Sequence, residues 1–349
     1  MRYKLLGKTG IKVSELCLGT MTFGDKWSFG ANEADSLEVA AAFAAAGGNF
    51  LDTANKYNEG QSEEICAKII ASNRNRWVIA TKFTLAMAAG DPNACGNSRK
   101  NMMQSVHASL KRLGTDYVDL FWVHAWDFTT AVDDVMRALD DLVHSGKVLA
   151  VGVSDVPAWV VSQANTIANF RGWSPFSALQ VEYSLIERTV ERDLIPMARA
   201  FGLTVTPWAP LGGGVLTGKY SRSAGTPDDS KRATGNARRL SDRNMNIARE
   251  VDKIADELGK TSTQIAINWL RSQGGDILPI FGTRKVSQLQ DVLGALDFSL
   301  APEHIERLNE VSRIELGFPH QFLNMDYIRS VIYGDGVAQI DLPTGARPR

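Results

Sequence analysis

Two rhythms of apolar and polar positions alternate along the chain. Short runs that are apolar almost throughout, such as Trp77-Val78-Ile79-Ala80-Thr81-Lys82 and Val148-Leu149-Ala150-Val151-Gly152-Val153, are separated by stretches with helical spacing, such as Val135, Leu139 and Leu142. Runs apolar on both faces are what strands covered on both sides require. The helical stretches are long enough to be crossovers between parallel strands.

In order, the pattern predicts a hairpin over 2–13 turning at Gly7-Lys8-Thr9-Gly10, then a strand over 14–19. A helix capped by Asn32 runs to Gly47-Gly48. A strand follows over 49–52, then a helix near 61–72, a strand ending at Lys82, a polar loop over 89–97 and a helix near 98–113. Next come a strand ending at His124 and a helix begun by Thr130 with Asp133. Further strands are expected over 148–153, from 177, over 203–208 and over 276–281. Pro157 suits the first turn of a helix, and other helices are expected over 191–201, 242–258, 262–272 (with a Thr261/Gln264 capping pair), 286–296 and 302–314. A loop over 210–240 is rich in Gly, Ser and Arg, and the tail from about 315 shows little periodicity.

Strand and helix thus alternate eight times. A doubly wound sheet usually carries GxGxxG after its first strand; here that turn is Gly19-Thr20-Met21-Thr22-Phe23-Gly24, which lacks it. The expected fold is an α/β (β/α)8 TIM barrel with an N-terminal hairpin and extra helices, one domain over 1–349.

Composition narrows the class. The 349 residues are 44% hydrophobic and 22% charged, enough for a sizeable core. A net charge of -1 gives no reason to expect nucleic acid or an anionic membrane as partner. Three cysteines without metal-ligand spacing fit a reducing compartment, and no metal site is expected. Residues 1–8 lack a signal-peptide core and no segment is long enough to span a bilayer, so a cytoplasmic location is expected.

Polar residues fall where three successive strands end: Asp52, with Tyr57 in the loop beyond, then Lys82, then His124. Alone, each reads more readily as a cap, packing, an ion pair or a core residue. Together at the C-terminal mouth of one barrel they make a site. A phenol titrates near about 10, and an adjacent ammonium lowers that value. Asp52 would support Lys82, Lys82 would tune Tyr57, Tyr57 would protonate a carbonyl oxygen, and His124 would donate a second hydrogen bond to it. A hydride donor is the missing part.

The motifs Leu18-Gly19-Thr20-Met21-Thr22-Phe23-Gly24, Leu51-Asp52-Thr53-Ala54-Asn55-Lys56-Tyr57 and Gly60-Gln61-Ser62-Glu63-Glu64 resemble the aldo-keto reductases. So do Gly152-Val153-Ser154, Gln180-Val181-Glu182-Tyr183-Ser184, Trp208-Ala209-Pro210-Leu211-Gly212 and Ile280-Phe281-Gly282-Thr283-Arg284, a resemblance covering roughly 1–315. It is nearest the branch of aryl-alcohol dehydrogenase-like enzymes and potassium-channel β subunits. The resemblance implies a (β/α)8 barrel using NADPH, with the tetrad Asp52, Tyr57, Lys82 and His124 and Tyr57 as general acid.

By the same resemblance, Gly19, Thr20 and Met21 lie beside the nicotinamide ribose, Ser154, Asp155 and Gln180 by the carboxamide, and Trp208 stacks on the ring. Leu211, Gly212, Lys219 and Arg232 match the loop over the pyrophosphate. Gly282, Arg284, Gln288 and Asp291 match the segment around the 2'-phosphate and adenine. Two departures imply weaker cofactor binding: Asp155 replaces a frequent Asn and cannot donate, and Val292 replaces a frequent Asn at the adenine. Arg284 carries the expectation of NADPH over NADH.

Phe23, Trp27, Trp126 and the tail residues Phe318, Phe322 and Tyr327 are expected around the mouth, which suits aromatic or bulky carbonyls. Two other readings use the same residues: a cofactor-sensing binding module like a channel β subunit, and an alcohol dehydrogenase working mainly in oxidation. The chain begins almost directly at the first hairpin, which favours the enzyme; its oligomeric state is not legible.

Overall fold

The computed structural model describes residues 1–222 and 237–340. Arg232 lies outside them. Eight parallel strands form one sheet: β3 (Cys17–Gly19), β4 (Phe50–Asp52), β5 (Val78–Phe83), β6 (Val118–Val123), β7 (Val148–Ser154), β8 (Phe176–Glu182), β9 (Thr204–Trp208) and β10 (Ile280–Phe281), in the order β10-β3-β4-β5-β6-β7-β8-β9. The last gap closes where Val205 N donates to Asp276 O at 2.9 Å and Leu278 N donates to Val205 O at 2.8 Å. Eight strands closed in this way are the (β/α)8 barrel. The strand expected over 276–281 narrows to two residues because Pro279 has no N–H to give a neighbour.

Between the strands run α1 (Glu33–Ala45), α2 (Gln61–Ile70), α3 (Arg99–Leu113), α4 (Val132–His144), α5 (Ala158–Arg171), α6 (Leu194–Phe201), α7 (Asp242–Leu258) and α8 (Ser262–Ser272), and α9 (Val286–Leu293) and α10 (Pro302–Val311) follow β10. Local chemistry sets several boundaries. Asn32 accepts from Asp35 N, Ser241 caps α7, and Thr261 with Gln264 completes a capping box on α8. Helix α4 differs from expectation. Ala131 is its cap residue and offers no side-chain acceptor, because Thr130 Oγ1 instead donates to Asp127 Oδ2 at 3.0 Å. Helix α6 starts later than expected, after a short 3-10 turn at Thr189–Glu191.

Alternation along the strands divides the core into two layers. Ile79, Phe83, Phe121 and Val123 face outward into the layer shared with the helices. Val78, Ala80, Leu120 and Trp122 face inward with Phe50 and Cys17. Gly152 on β7 leaves room for Trp122, whose ring would meet a Cβ there at 2.4 Å. The hairpin of β1 (Tyr3–Leu5) and β2 (Lys12–Ser14) plugs the N-terminal end of the barrel. Leu6 and Val13 join the inner layer, and Gly7 N donates to Thr204 Oγ1 at 2.8 Å. Gly7 has φ 53° and a Cβ would come within 2.3 Å of Ser177 O, so only glycine fits there. The C-terminal ends of the strands are left as the open end.

The tail departs from expectation. It folds into α11 (His320–Leu323) and α12 (Asp326–Tyr333), with no buried residue in either. Phe318 and Tyr327 are 84% and 75% exposed and Phe322 is 43% exposed, so these aromatics face solvent and do not wall a pocket. Among the described residues, no helix is long and apolar enough to cross a membrane, and no cluster of three or more His, Cys, Asp or Glu could hold a metal ion.

Candidate active site

Strand parity brings the polar residues together. On β4 the inward positions are Phe50 and then Asp52; on β5 they are Val78, Ala80 and Lys82; on β6 they are Leu120 and Trp122, with His124 next in phase. Register partners share a face, which places Ser154 beside Gln180 and Trp208 beside Glu182 at the same end. On β4, β5 and β6 the inward positions are apolar low in the barrel and turn polar at, or just past, the top of the strand.

Lys82 is fully buried and uses all three of its donors. Nζ donates to Asp52 Oδ2 at 2.5 Å, to Thr53 O at 2.8 Å and to Tyr57 Oη at 3.2 Å. The other carboxylate oxygen, Asp52 Oδ1, accepts from Gln180 Nε2 at 3.1 Å. Tyr57 Oη is therefore an acceptor toward Lys82. Its own hydrogen has no acceptor among the described residues.

Burial pulls the Lys82 ammonium down, but Asp52 and then Tyr57 outweigh it and hold Lys82 net above its ordinary value. Tyr57 contradicts the expected direction. Burial pushes its phenol above the ordinary 10.0, and Lys82 only offsets part of that push. The lowering expected from the ammonium is outweighed because packing around the half-buried phenol strips part of its hydration, which penalises phenolate.

His124 stands edge-on to Tyr57, with ring centroids 5.8 Å apart, and its buried Nδ1 has no partner. Burial, reinforced by Lys82, drives its pKa from 6.5 down to about 3, so the ring is neutral near pH 7. A histidine buried neutral contributes stability that is complete above pH 6.5 and is lost as pH falls toward about 3. Accordingly, the His124 imidazole signals in an NMR titration are expected to stay those of a neutral ring from pH 8 down to pH 5 (about 1.5 below the ordinary midpoint). A midpoint near 6.5 would overturn this.

The residues singled out for cofactor binding are distributed as follows. Gly19 ends β3 where a Cβ would meet Ile280 at 2.8 Å, and Thr20 is buried, its hydroxyl shared with Ser62 and Asp52 O. Met21 is half-buried, and Ser154 and Gln180 are buried at the strand tops. Asp155 has φ 44° and its Oδ1 accepts from Trp208 Nε1 at 3.1 Å. Burial raises the Asp155 carboxyl against the opposing pull of Trp208 and Lys82. Leu211 precedes Gly212, Gly213 and Gly214, all at positive φ.

Lys219 and Arg284 are half-buried, and neither has a carboxylate partner among the described residues. Neighbouring arginines do: Arg222 pairs with Asp252 and Asp256, and Arg239 with Glu182. Gly282 is exposed. Gln288 Oε1 accepts from Arg284 N, and Asp291 accepts from Thr261 Oγ1 and Gln264 Nε2. Val292 is 3% exposed and packs in the outer core.

Of the expected aromatic walls, Phe23 is a correction: it is fully buried in the core layer between sheet and helices, so no face of its ring is left to wall a pocket. Trp126 is 7% exposed and its N donates to Asp155 O at 3.3 Å. Trp27 is half-exposed and edge-on to Tyr57, at 6.3 Å between centroids. The sequence reading missed Asn58, fully buried beside Tyr57, and the Glu182–Arg239 pair at the top of β8. Glu182 was findable, since it shares parity with Gln180. Nothing in the sequence pattern marks Asn58 as buried.

A closed parallel barrel with a lysine, carboxylate, phenol and imidazole at its open end defines a class of carbonyl-reducing oxidoreductases. The Aldo/keto reductase family model matches residues 15–313, and the chain belongs to that family. It is 38% identical over 349 residues to the aryl-alcohol dehydrogenase [NADP(+)] of Phanerodontia chrysosporium, covering 94% of this chain and 87% of that protein. It is 37% identical over 329 residues to norsolorinic acid reductase of Aspergillus flavus (91% and 83% covered). It is also 38% identical over 340 residues to the aldo-keto reductase ausK of Emericella nidulans (93% and 85%).

Proposed function

We propose that this protein reduces aldehydes or ketones to alcohols with NADPH, and that Tyr57 is the proton donor. The observation that carries the reading is the Lys82 ammonium, whose three donors are all engaged, leaving the Tyr57 hydroxyl to accept from it and to point its own proton elsewhere. When bound, the reduced nicotinamide supplies the hydride. Tyr57 gives its proton to the carbonyl oxygen as charge develops there. A neutral His124 donates a second hydrogen bond to the same oxygen. Lys82 steadies the phenolate that remains, and Asp52, oriented by Gln180, keeps Lys82 charged. The site fits the cofactor: Trp208 offers a half-buried ring, while Lys219 and Arg284 offer cations that no described carboxylate neutralises. Screening NADPH consumption over aromatic and aliphatic aldehydes and ketones tests the reading. Bound cofactor with no turnover of any carbonyl would overturn it in favour of a cofactor-sensing module.

Arg284→Ala is expected to weaken NADPH by about 10- to 100-fold, the worth of a charge-assisted hydrogen bond, and to leave NADH nearly unchanged. Fluorescence titration of both cofactors decides this. Equal loss for both would remove Arg284 from the 2'-phosphate.

A further inference from the structure

Directly after Tyr57 the backbone turns left-handed for three residues: φ is 47° at Asn58, 54° at Glu59 and 92° at Gly60. Side-chain-bearing residues seldom adopt this region, Asn being among the most tolerant. Such a run persists only where the surroundings over-determine it. Here they do. Asn58 is fully buried, and its carboxamide is engaged on both sides. Nδ2 donates to Met21 O at 3.0 Å, and Oδ1 accepts from Trp27 N at 2.8 Å.

Both partners lie in the loop after β3, not in the segment that carries Tyr57. Gly24 makes room for the amide: at φ 116°, a Cβ would approach Asn58 Cβ to 2.9 Å. Gln61 adds a second fastening on the solvent side, where Oε1 accepts from Asp25 N at 3.1 Å and Nε2 donates to Asp25 Oδ1 at 3.0 Å. The loop held in this way lays Trp27 edge-on against Tyr57 and tilts it against Phe29, at 5.7 Å between centroids.

The geometry points to Asn58 as a positioning residue: its carboxamide fixes Trp27 against the proton donor and so sets the wall that selects bulky aromatic carbonyls. The inference rests on the carbonyl-reduction reading above. Asn58 makes none of the bonds joining Asp52, Lys82, Tyr57 and Gln180. Loss of its carboxamide therefore frees the wall without dismantling the proton donor. Asn58→Gly is the informative variant, because glycine takes φ 47° without strain while removing both hydrogen bonds.

The experiment compares an aromatic with a short aliphatic aldehyde. Asn58→Gly is expected to raise KM for the aromatic one about tenfold, the worth of one or two lost hydrogen bonds, with kcat and the aliphatic KM within about twofold. Trp27→Ala should reproduce this split, and the double variant should add nothing further, since both changes act through one contact. Gln61→Ala, which loosens the loop from outside, should give the same split with smaller amplitude. Equal effects on both aldehydes, or additivity in the double variant, would overturn the assignment. The Trp27 indole N–H resonance, assigned with Trp27→Phe, is expected to shift or broaden in Asn58→Gly whether or not any aldehyde turns over. An unmoved resonance sinks the fastening itself, whereas a wild-type protein that turns over neither aldehyde sinks the reading of the reaction.

Discussion

Tyr57→Phe is expected to lower carbonyl reduction by about 10²- to 10⁴-fold, the contribution of a positioned general acid, with NADPH affinity within about twofold of wild type. The substitution removes one oxygen and keeps the ring, so the edge-on contacts with Trp27 and His124 persist. Lys82 loses its longest hydrogen bond, at 3.2 Å, but keeps Asp52 and Thr53. The ammonium stays paired and the barrel stays folded, while the proton proposed to pass from Tyr57 to the carbonyl oxygen is gone. Single-turnover rates beside cofactor titrations separate the two effects. A variant that retains most of its turnover would remove Tyr57 from the chemistry, and parallel loss of cofactor affinity would mean that its role is binding.

Lys82→Met should destabilise the fold by about 3–5 kcal/mol, the typical consequence of stripping one partner from a buried ion pair. The side chains of Lys82 and Asp52 are 0% and 3% exposed, so the carboxylate left behind has no water to replace the ammonium. Gln180 supplies only one neutral donor to it. Combining Lys82→Met with Asp52→Asn removes the orphaned charge and should recover much of the loss, although neither variant should turn over substrate. Denaturant midpoints for the two single variants and the double test this. Lys82→Met as stable as wild type would show that the pair is hydrated.

The two experiments bear on different properties of the same four residues. Tyr57 is inexpensive to the fold and central to the proposed reaction. The Asp52–Lys82 pair is central to both, because a charge held inside a barrel must be compensated where it stands.

Much of this architecture is legible in the sequence, because strand and helix periodicities are local. Apolar runs alternating with helical spacing imply the barrel. Asn32 and the Thr261/Gln264 box set helix starts by contacts within one turn. Period two along β4, β5 and β6 also puts Asp52, Lys82 and His124 on one face once the strands are parallel.

Tertiary structure decided what depends on distant neighbours. Burial reverses the direction of the Tyr57 shift, which a nearby ammonium alone would have lowered. Phe23 and Val292 turn into the core, and the aromatic tail turns out to solvent, since amphipathic position is settled by what packs against it. The left-handed run at 58–60 is stable only because Met21 and Trp27, far back in the chain, complete the Asn58 carboxamide. By itself the sequence determined which side chains each strand brings to the open end. Folding decided how much water each would see and which backbone would hold it, because desolvation and hydrogen-bond completion are properties of assembled neighbours and not of residue order.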